Sequence, residues 1–391
     1  MGAMPNTRIP AAILAASLAA FAAPPAAPAE PAAGVPAARL AALSRGVNLS
    51  HWFSQIPRNN GAYAHDWFAA YDKPEDLALI AGAGFTHVRY PVEFEMFMDE
   101  DHPGSLRPEF LPDFDAALDH ILGAGLAVIV DWHAREDTKD RLRTDDALAL
   151  KAAALWGAMG RHLAARDPER VFLETMNEPA GKMSLERWTW VQGGIFRAMR
   201  AAAPRHTIIV TSNHWSGVDE LARFSPLSDT NVVYNFHFYE PMAETHQGAS
   251  WTHGGEKELS GVVYPVDAAS KAAQLAALTD PAARKVLSEY NGSREWIAAR
   301  LALAIGWGRA HGVPLTCNEF GVYTRVSPPD SRYRWIRDVR ELCEAQGVGW
   351  SMWDYAGGFR VASTDGQGRR TLDPECLRAL GLPAPEAAAR R

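Results

Sequence analysis

The chain has 391 residues and a formal charge of -7 with pI near 6.0, which excludes the basic footprint that nucleic-acid binding demands. Its three cysteines are odd in number and too few to frame a chain of this length, so stability has to come from an apolar core. Length alone admits one large domain or two ordinary ones, and thirteen tryptophans are many for either.

At the N-terminus stand one early cation (Arg8), an apolar run from Ile9 to about Ala23, and the small-residue pattern Ala27-Pro28-Ala29. These read as a signal peptide over residues 1–29, followed by a Pro/Ala linker over 30–39. The apolar run is shorter than the roughly 20 residues a spanning helix needs. We therefore expect a secreted or periplasmic protein whose mature part, a catalytic domain over 40–391, is a monomer with no membrane span.

Beyond residue 40 the same unit recurs: a short apolar run, then an amphipathic stretch, with glycine often closing the helix before the next run. In order the runs are "RGVNLS" (45–50), "FTHVRYP" (85–91), "LAVIVDWH" (126–133), "VFLETMNEP" (171–179), "TIIVTSN" (207–213), "VVYNFHFYEP" (232–241), "VPLTCNEFG" (313–321) and "VGWSMWDY" (348–355). Between them the spacing predicts helices over 74–83, 111–122, 145–164, 185–200, 294–310 and 331–345. One connection, 242–292, is long and rich in Gly, His and Trp ("THQGASWTHGGEKELSGVVYP"), and we read it as an excursion over one face. Eight units with no change of composition predict a single-domain α/β (β/α)8 TIM barrel, with a doubly wound open sheet as the alternative.

Polar and aromatic residues gather where these strands end: Asn48; Arg89; Asp131, Trp132 and His133; Asn177 and Glu178; Asn213, His214 and Trp215; His237 and Tyr239; Asn318 and Glu319; Trp353 and Asp354. In a barrel the carboxyl ends of the strands carry the chemistry. Glu178 and Glu319 fall at matching places in the fourth and seventh runs, where they can face each other across the mouth. One carboxyl protonated and one ionised is the minimum equipment for cleaving a glycosidic bond. Arg89, His237 and Tyr239 can keep one of them charged, and Trp215 and Trp353 can stack on sugar rings.

Other residues read more plainly. Glu174 suits a paired structural role, and Arg89 has an interior ion-pair reading beside its functional one. His87 and His214 are expected to be hydrogen-bonded without function. Trp132, Trp188, Trp190, Trp335 and Trp350 read as core, whereas Trp52 and Trp251 are exposed platforms or loop anchors. Cys317 reads as a small buried hydrophobe, and a Cys343–Cys376 bridge stays open. No His-x-His closes the first run and no Cys or His pair has tight ligand spacing, so no metal site is assigned. "GAGF" (82–85) precedes a strand and reads as a helix stop, not a phosphate loop.

In sequence order "RGVNLS", "HVRYP", "VDWH", "NEP", "HFYEP", "NEFG" and "WSMWDY" resemble glycoside hydrolase family five, the cellulase-type family of retaining barrels, over essentially the whole mature chain. The resemblance implies Glu178 as acid/base and Glu319 as nucleophile. It places Arg89 and Tyr239 in support of the nucleophile, Asn177 and His133 on sugar hydroxyls, His237 among the substrate-binding residues, and Trp353 under the sugar before the scissile bond. It also implies a covalent glycosyl-enzyme, carboxyl groups about 5 to 5.5 Å apart, and no cofactor. "THQGASW" with "GVVYP" resembles a bacterial cellulase-like branch, so the expected substrate is a β-1,4-glucan, with mannan or β-1,3-glucan as alternatives and a non-catalytic glycan-binding barrel as the reading from another class. No cellulose-binding module or Ser/Thr-rich linker stands out, which favours soluble or amorphous substrate.

Overall fold

A computed structural model describes residues 34–56, 63–71, 73–179 and 181–384. The expected signal peptide, residues 1–29, lies outside the described residues. Eight parallel strands close into a barrel in sequence order: β1 (Arg45–Asn48), β2 (His87–Val92), β3 (Ala127–Trp132), β4 (Val171–Glu174), β5 (Ile208–Thr211), β6 (Val232–Phe238), β7 (Leu315–Phe320) and β8 (Gly349–Met352). The ring is closed by β1 against β8, with Gly46 opposite Ser351. The open-sheet alternative is thereby set aside. Each strand is buried on both faces, which is why the runs read as apolar without alternation.

The predicted helices form within a few residues of their expected limits: Pro74–Gly82, Leu111–Gly123, Asp146–Leu163, Leu185–Ala202, Arg294–His311 and Pro329–Glu344. Three of them start on side-chain caps, Asp145 accepting from Leu148 N, Ser184 from Arg187 N and Ser293 from Trp296 N. An earlier helix, Ala37–Ala42, begins inside the stretch read as linker. Its Arg39 is buried, donating to Glu169, Thr207 and the Arg205 carbonyl, so the ordered fold starts before residue 40. No described helix is long and apolar enough to cross a membrane.

Inside the barrel the layers differ. Leu43, Ala127, Ile129, Phe172, Ile209 and Val233 form an apolar plug. Further toward the carboxyl ends of the strands the inward positions become Arg89, Asp131, Glu174 and Asn235, all wholly buried. The excursion after β6 contains helices Met242–Thr245, Ala268–Ala277 and Pro281–Glu289. Leu259, Val262, Ala283, Leu287 and Tyr290 give it a small core of its own.

One sequence expectation fails here, the core reading of Trp190, and two open ones are decided. Trp190 is 41% exposed, with the Arg187 guanidinium over its ring at 4.7 Å, because its position faces outward from the helix Leu185–Ala202. Of the two readings of Trp52 the platform is excluded and the loop anchor remains, since it is buried and donates to the Phe68 carbonyl. Cys343 and Cys376 form no bridge, and all three cysteines are free and buried.

Candidate active site

Arg89 of β2 organises the mouth. Its Nε and Nη2 form a two-point pair with Glu174 at 2.8 and 2.9 Å, Nη1 donates to Glu319 at 2.7 Å and to Asn48 at 3.0 Å, and Nη2 also donates to Asn177 at 3.0 Å. The Asp131 carboxylate lies 3.0 Å from Nη2. A planar guanidinium suits such a fork, and surrounding acids hold it charged despite complete burial. Both readings of Arg89 therefore hold at once, since it is an interior ion-pair partner of Glu174 and a donor to Glu319. Asn318 and Asn235 saturate the other side of Glu174 at 2.7 and 3.3 Å, which gives that residue the paired structural role expected of it.

A bulge brings Glu319 inward. Along β7, Cys317 pairs with Phe236 and Glu319 pairs with His237, the next residue of β6, so Asn318 is the extra residue. Without a bulge, neighbouring residues of a strand point to opposite faces. Here Asn318 reaches Glu174 while Glu319 reaches Arg89. Tyr239 completes the setting by donating its hydroxyl to Glu319 Oε2 at 2.9 Å.

Glu178 arrives differently. The strand was expected to carry it to the rim, but β4 stops at Glu174, and Glu178 stands four residues further on at φ 41°. A non-glycine residue in this region pays roughly 1–3 kcal/mol, a strain that tends to sit at functional positions. The neighbouring loop after β5 is unusual in the same way, with His214, Trp215 and Ser216 at φ 52°, 56° and 59°. The two segments are tied: Trp215 N donates to the Pro179 carbonyl at 3.1 Å, and His214 Nδ1 lies 2.7 Å from the Gly181 carbonyl oxygen. Trp215 is half-exposed and lies so close over Gly181 that a Cβ there would come 2.1 Å from its ring.

His237 stands between the two glutamates, its Nδ1 at 2.8 Å from Glu178 Oε1 and 3.5 Å from Glu319 Oε2. One carboxylate oxygen of each glutamate and one His237 nitrogen all lie within 4.8 Å of one another. Burial pushes His237 down to about 4, so the ring is neutral near pH 7 and acts as a donor through Nδ1. His133 is also held neutral by burial; Asn177 Nδ2 donates to its Nε2 at 3.3 Å, leaving Nδ1–H for Asp131 at 3.0 Å. Trp353 lies parallel to the His133 ring, with centroids 5.8 Å apart.

Burial raises both glutamates to about 7, and the charge on Glu178 further raises Glu319. Such a pair titrates as a unit. Glu319 accepts from a guanidinium and a phenol, which favour its charged form, whereas among the described residues Glu178 accepts from neutral His237, so the shared proton is favoured on Glu178.

The structure thus brings together all eight residues expected at the site: Arg89, His133, Asn177, Glu178, His237, Tyr239, Glu319 and Trp353. Reading the sequence missed Asn235, because it lies within a strand and not at its end. It also missed Lys139, a buried cation paired with Glu136 at 2.9 Å, whose charge opposes the rise at Glu178 and Asp131. A separate cavity of about 340 Å³ opens between the loops after β2 and β3, lined by Tyr63, Glu95, Arg107 and Arg135 among others. It contains neither glutamate, and we place the chemistry at the carboxylate pair.

Two facing carboxyls, one held charged and one able to keep a proton, in the mouth of a parallel barrel define a glycosidase of the barrel class. The family model for cellulase (glycosyl hydrolase family 5) matches residues 48–358, and the chain belongs to that family. Endoglucanase 3 of Fibrobacter succinogenes is 26% identical over 340 residues, which span 82% of this chain but only 50% of that protein. Endoglucanase C of Acetivibrio thermocellus is 26% identical over 325 residues, 81% of this chain and 92% of that one. Among solved structures, Thermotoga maritima Cel5A with cellobiose superposes with a TM-score of 0.71 at 24% identity, covering 88% of this chain and 98% of its own.

Proposed function

We propose that this chain is an exported, monomeric endo-β-1,4-glucanase that hydrolyses glucan with retention of configuration. The observation that carries the reading is the closeness of the two carboxyl groups, one oxygen of each lying within 4.8 Å of the other, which fits the short spacing of retaining enzymes better than the roughly 6.5–9.5 Å that leaves room for an inverting enzyme's water. Glu319 attacks the anomeric carbon while Glu178 gives its proton to the departing glycosidic oxygen, so the sugar is left bonded to Glu319. Glu178, now ionised, takes a proton from water, whose oxygen attacks the same carbon and releases Glu319.

The surrounding groups divide the remaining work. Arg89 and Tyr239 keep Glu319 charged until it bonds to carbon. Asn177 and His133 face the sugar hydroxyls, Trp353 lies beneath the ring, and Trp215, tied to the acid/base loop, receives the leaving-group side. The glucan assignment draws on relatives named endoglucanase and, in Ruminococcus flavefaciens, cellodextrinase A. It is tested by reducing ends released from carboxymethylcellulose, mixed-linkage glucan, laminarin and glucomannan, with Glu319→Gln as blank. Release from the β-1,4-linked glucans is expected; preference for laminarin or glucomannan would keep the mechanism and replace the substrate.

A further inference from the structure

Glu174, wholly buried inside the barrel, has the two-point pair with Arg89 to hold its charge. Glu244, in the helix Met242–Thr245 at the base of the excursion after β6, is equally buried, and among the described residues no cation pairs with it. Its carboxyl meets neutral groups: Gln247 Nε2 donates to Oε2 at 3.2 Å, and the Ser327 hydroxyl lies 3.4 Å from Oε1. The ionisable groups around it bring no positive charge. Burial holds His246, two residues on, down at about 4 and pushes the Tyr290 phenol up, so both are neutral near pH 7. The charges of Glu256 and Lys257 in the excursion, and of Arg325 after β7, do not bear on it. A lone carboxylate is costly in such a place, and burial raises Glu244 to about 8.

Glu244 sits where three segments are tied together. Gln247, itself wholly buried, exchanges two further bonds with the Val262 backbone across the excursion, at 2.9 and 3.1 Å. Ser327 belongs to the loop after β7, which is fastened to the excursion twice more: Tyr323 N donates to the Thr245 carbonyl at 2.8 Å, and Gly261 N to the Val326 carbonyl at 3.3 Å. Gly248, at φ 73°, packs so near Val326 that a Cβ would come within 2.6 Å of it. The third segment is the end of β6, where the Thr245 hydroxyl donates to the carbonyl of Tyr239, the residue whose phenol holds Glu319 at 2.9 Å.

We propose that Glu244 is a proton-operated clasp: with its proton it lets the excursion close on the loop after β7, and on ionising it draws in water and opens the excursion's base. Once released, the side chain returns to the ordinary carboxyl range. The closed form therefore binds the proton more tightly than the open one. Closure weakens as pH rises from that range to about 8, and levels off above it. The inference stands whichever glycan the mouth cleaves.

Hydrogen exchange of the full chain, read by mass spectrometry on peptides from 242–292 and from β2 and β3, reports the opening once each pH is corrected for its intrinsic rate. Between pH 6 and pH 8 the wild-type excursion should open about ten- to fiftyfold more often, while the strand peptides stay unchanged. Glu244→Gln keeps the shape and never ionises, so its excursion should be equally protected at both. Equal protection of the wild-type excursion at the two pH values, or a glutamine variant that loses protection as wild type does, overturns the clasp. Should that variant not fold, Ser327→Ala answers the same question. It removes a hydroxyl that favours the charged form, so the rise in opening should continue above pH 8. A rise that levels off where wild type does overturns the proposal.

Discussion

Glu319 and Glu178 meet in one mouth but are held in opposite ways. Glu319 sits within a barrel strand, turned inward by the bulge at Asn318, with a guanidinium and a phenol donating to it. Glu178 sits beyond the end of its strand on left-handed backbone, with one neutral donor and a loop fastened to a second strained segment. The contrast fits the two tasks we propose for them. A nucleophile must be charged and fixed before it bonds to carbon, whereas an acid/base must hold a proton, release it and take one back.

The largest expected effect tests whether the two roles are assigned the right way round. Glu319→Ala and Glu178→Ala should each lower kcat on a β-glucan by about 10⁴-fold or more. Azide added to each variant separates them through product stereochemistry. In Glu319→Ala it enters from the vacated side and gives the α-glycosyl azide, whereas in Glu178→Ala it intercepts the glycosyl-enzyme and gives the β-anomer. Reversed products, read by NMR, would exchange the roles.

Next in size is the loss of the cation that fixes the nucleophile. Arg89→Ala leaves Glu174, Asp131 and Glu319 buried around an empty place. Removing one partner from a buried ionic cluster costs about 3–5 kcal/mol, so a clear fall in melting temperature should accompany lost activity. A variant as stable as wild type would mean that the cluster takes up protons to compensate. A smaller change comes from Tyr239→Phe, which removes one of the groups lowering the Glu319 pKa. Glu319 then ionises at higher pH, so the acid limb of kcat/KM should move upward. The alkaline limb, set by loss of the Glu178 proton near 7, should stay in place.

Much of this candidate site was legible in the sequence because a barrel puts its chemistry near the carboxyl ends of its strands, and seven of the eight expected residues stand in the last two positions of a strand or beyond it, Arg89 alone lying deeper in β2. Asn235 escaped because a polar residue inside an apolar strand carries no end signal; its use depends on Glu174 across the barrel. The bulge at Asn318 escaped because it exists only in the pairing of β7 with its neighbours. The backbone of Glu178 is equally invisible, since Asn-Glu-Pro suggests a strand ending at Pro179 and not four residues of irregular chain beyond Glu174. Trp190 was misplaced because an aromatic at helical spacing reads as core, yet the long Arg187 side chain covers its face from solvent instead.

The smallest expected effect probes the strained side alone. Gly181→Ala puts a Cβ where the Trp215 ring now lies, and since Trp215 is half-exposed the ring can swing away without disturbing the core. Folding should be unaffected. The loop carrying Glu178 loses its cover, and the proton donor becomes less well aimed, for a loss of about tenfold in kcat/KM on a natural glucan. A substrate whose leaving group departs without protonation, such as a dinitrophenyl cellobioside, does not need that aim and should form the glycosyl-enzyme at nearly the wild-type rate. The burst phase of aryl release measures that step directly. If burst and glucan turnover fell together, Trp215 would be supporting the nucleophile's side as well, and the two glutamates would not be held independently.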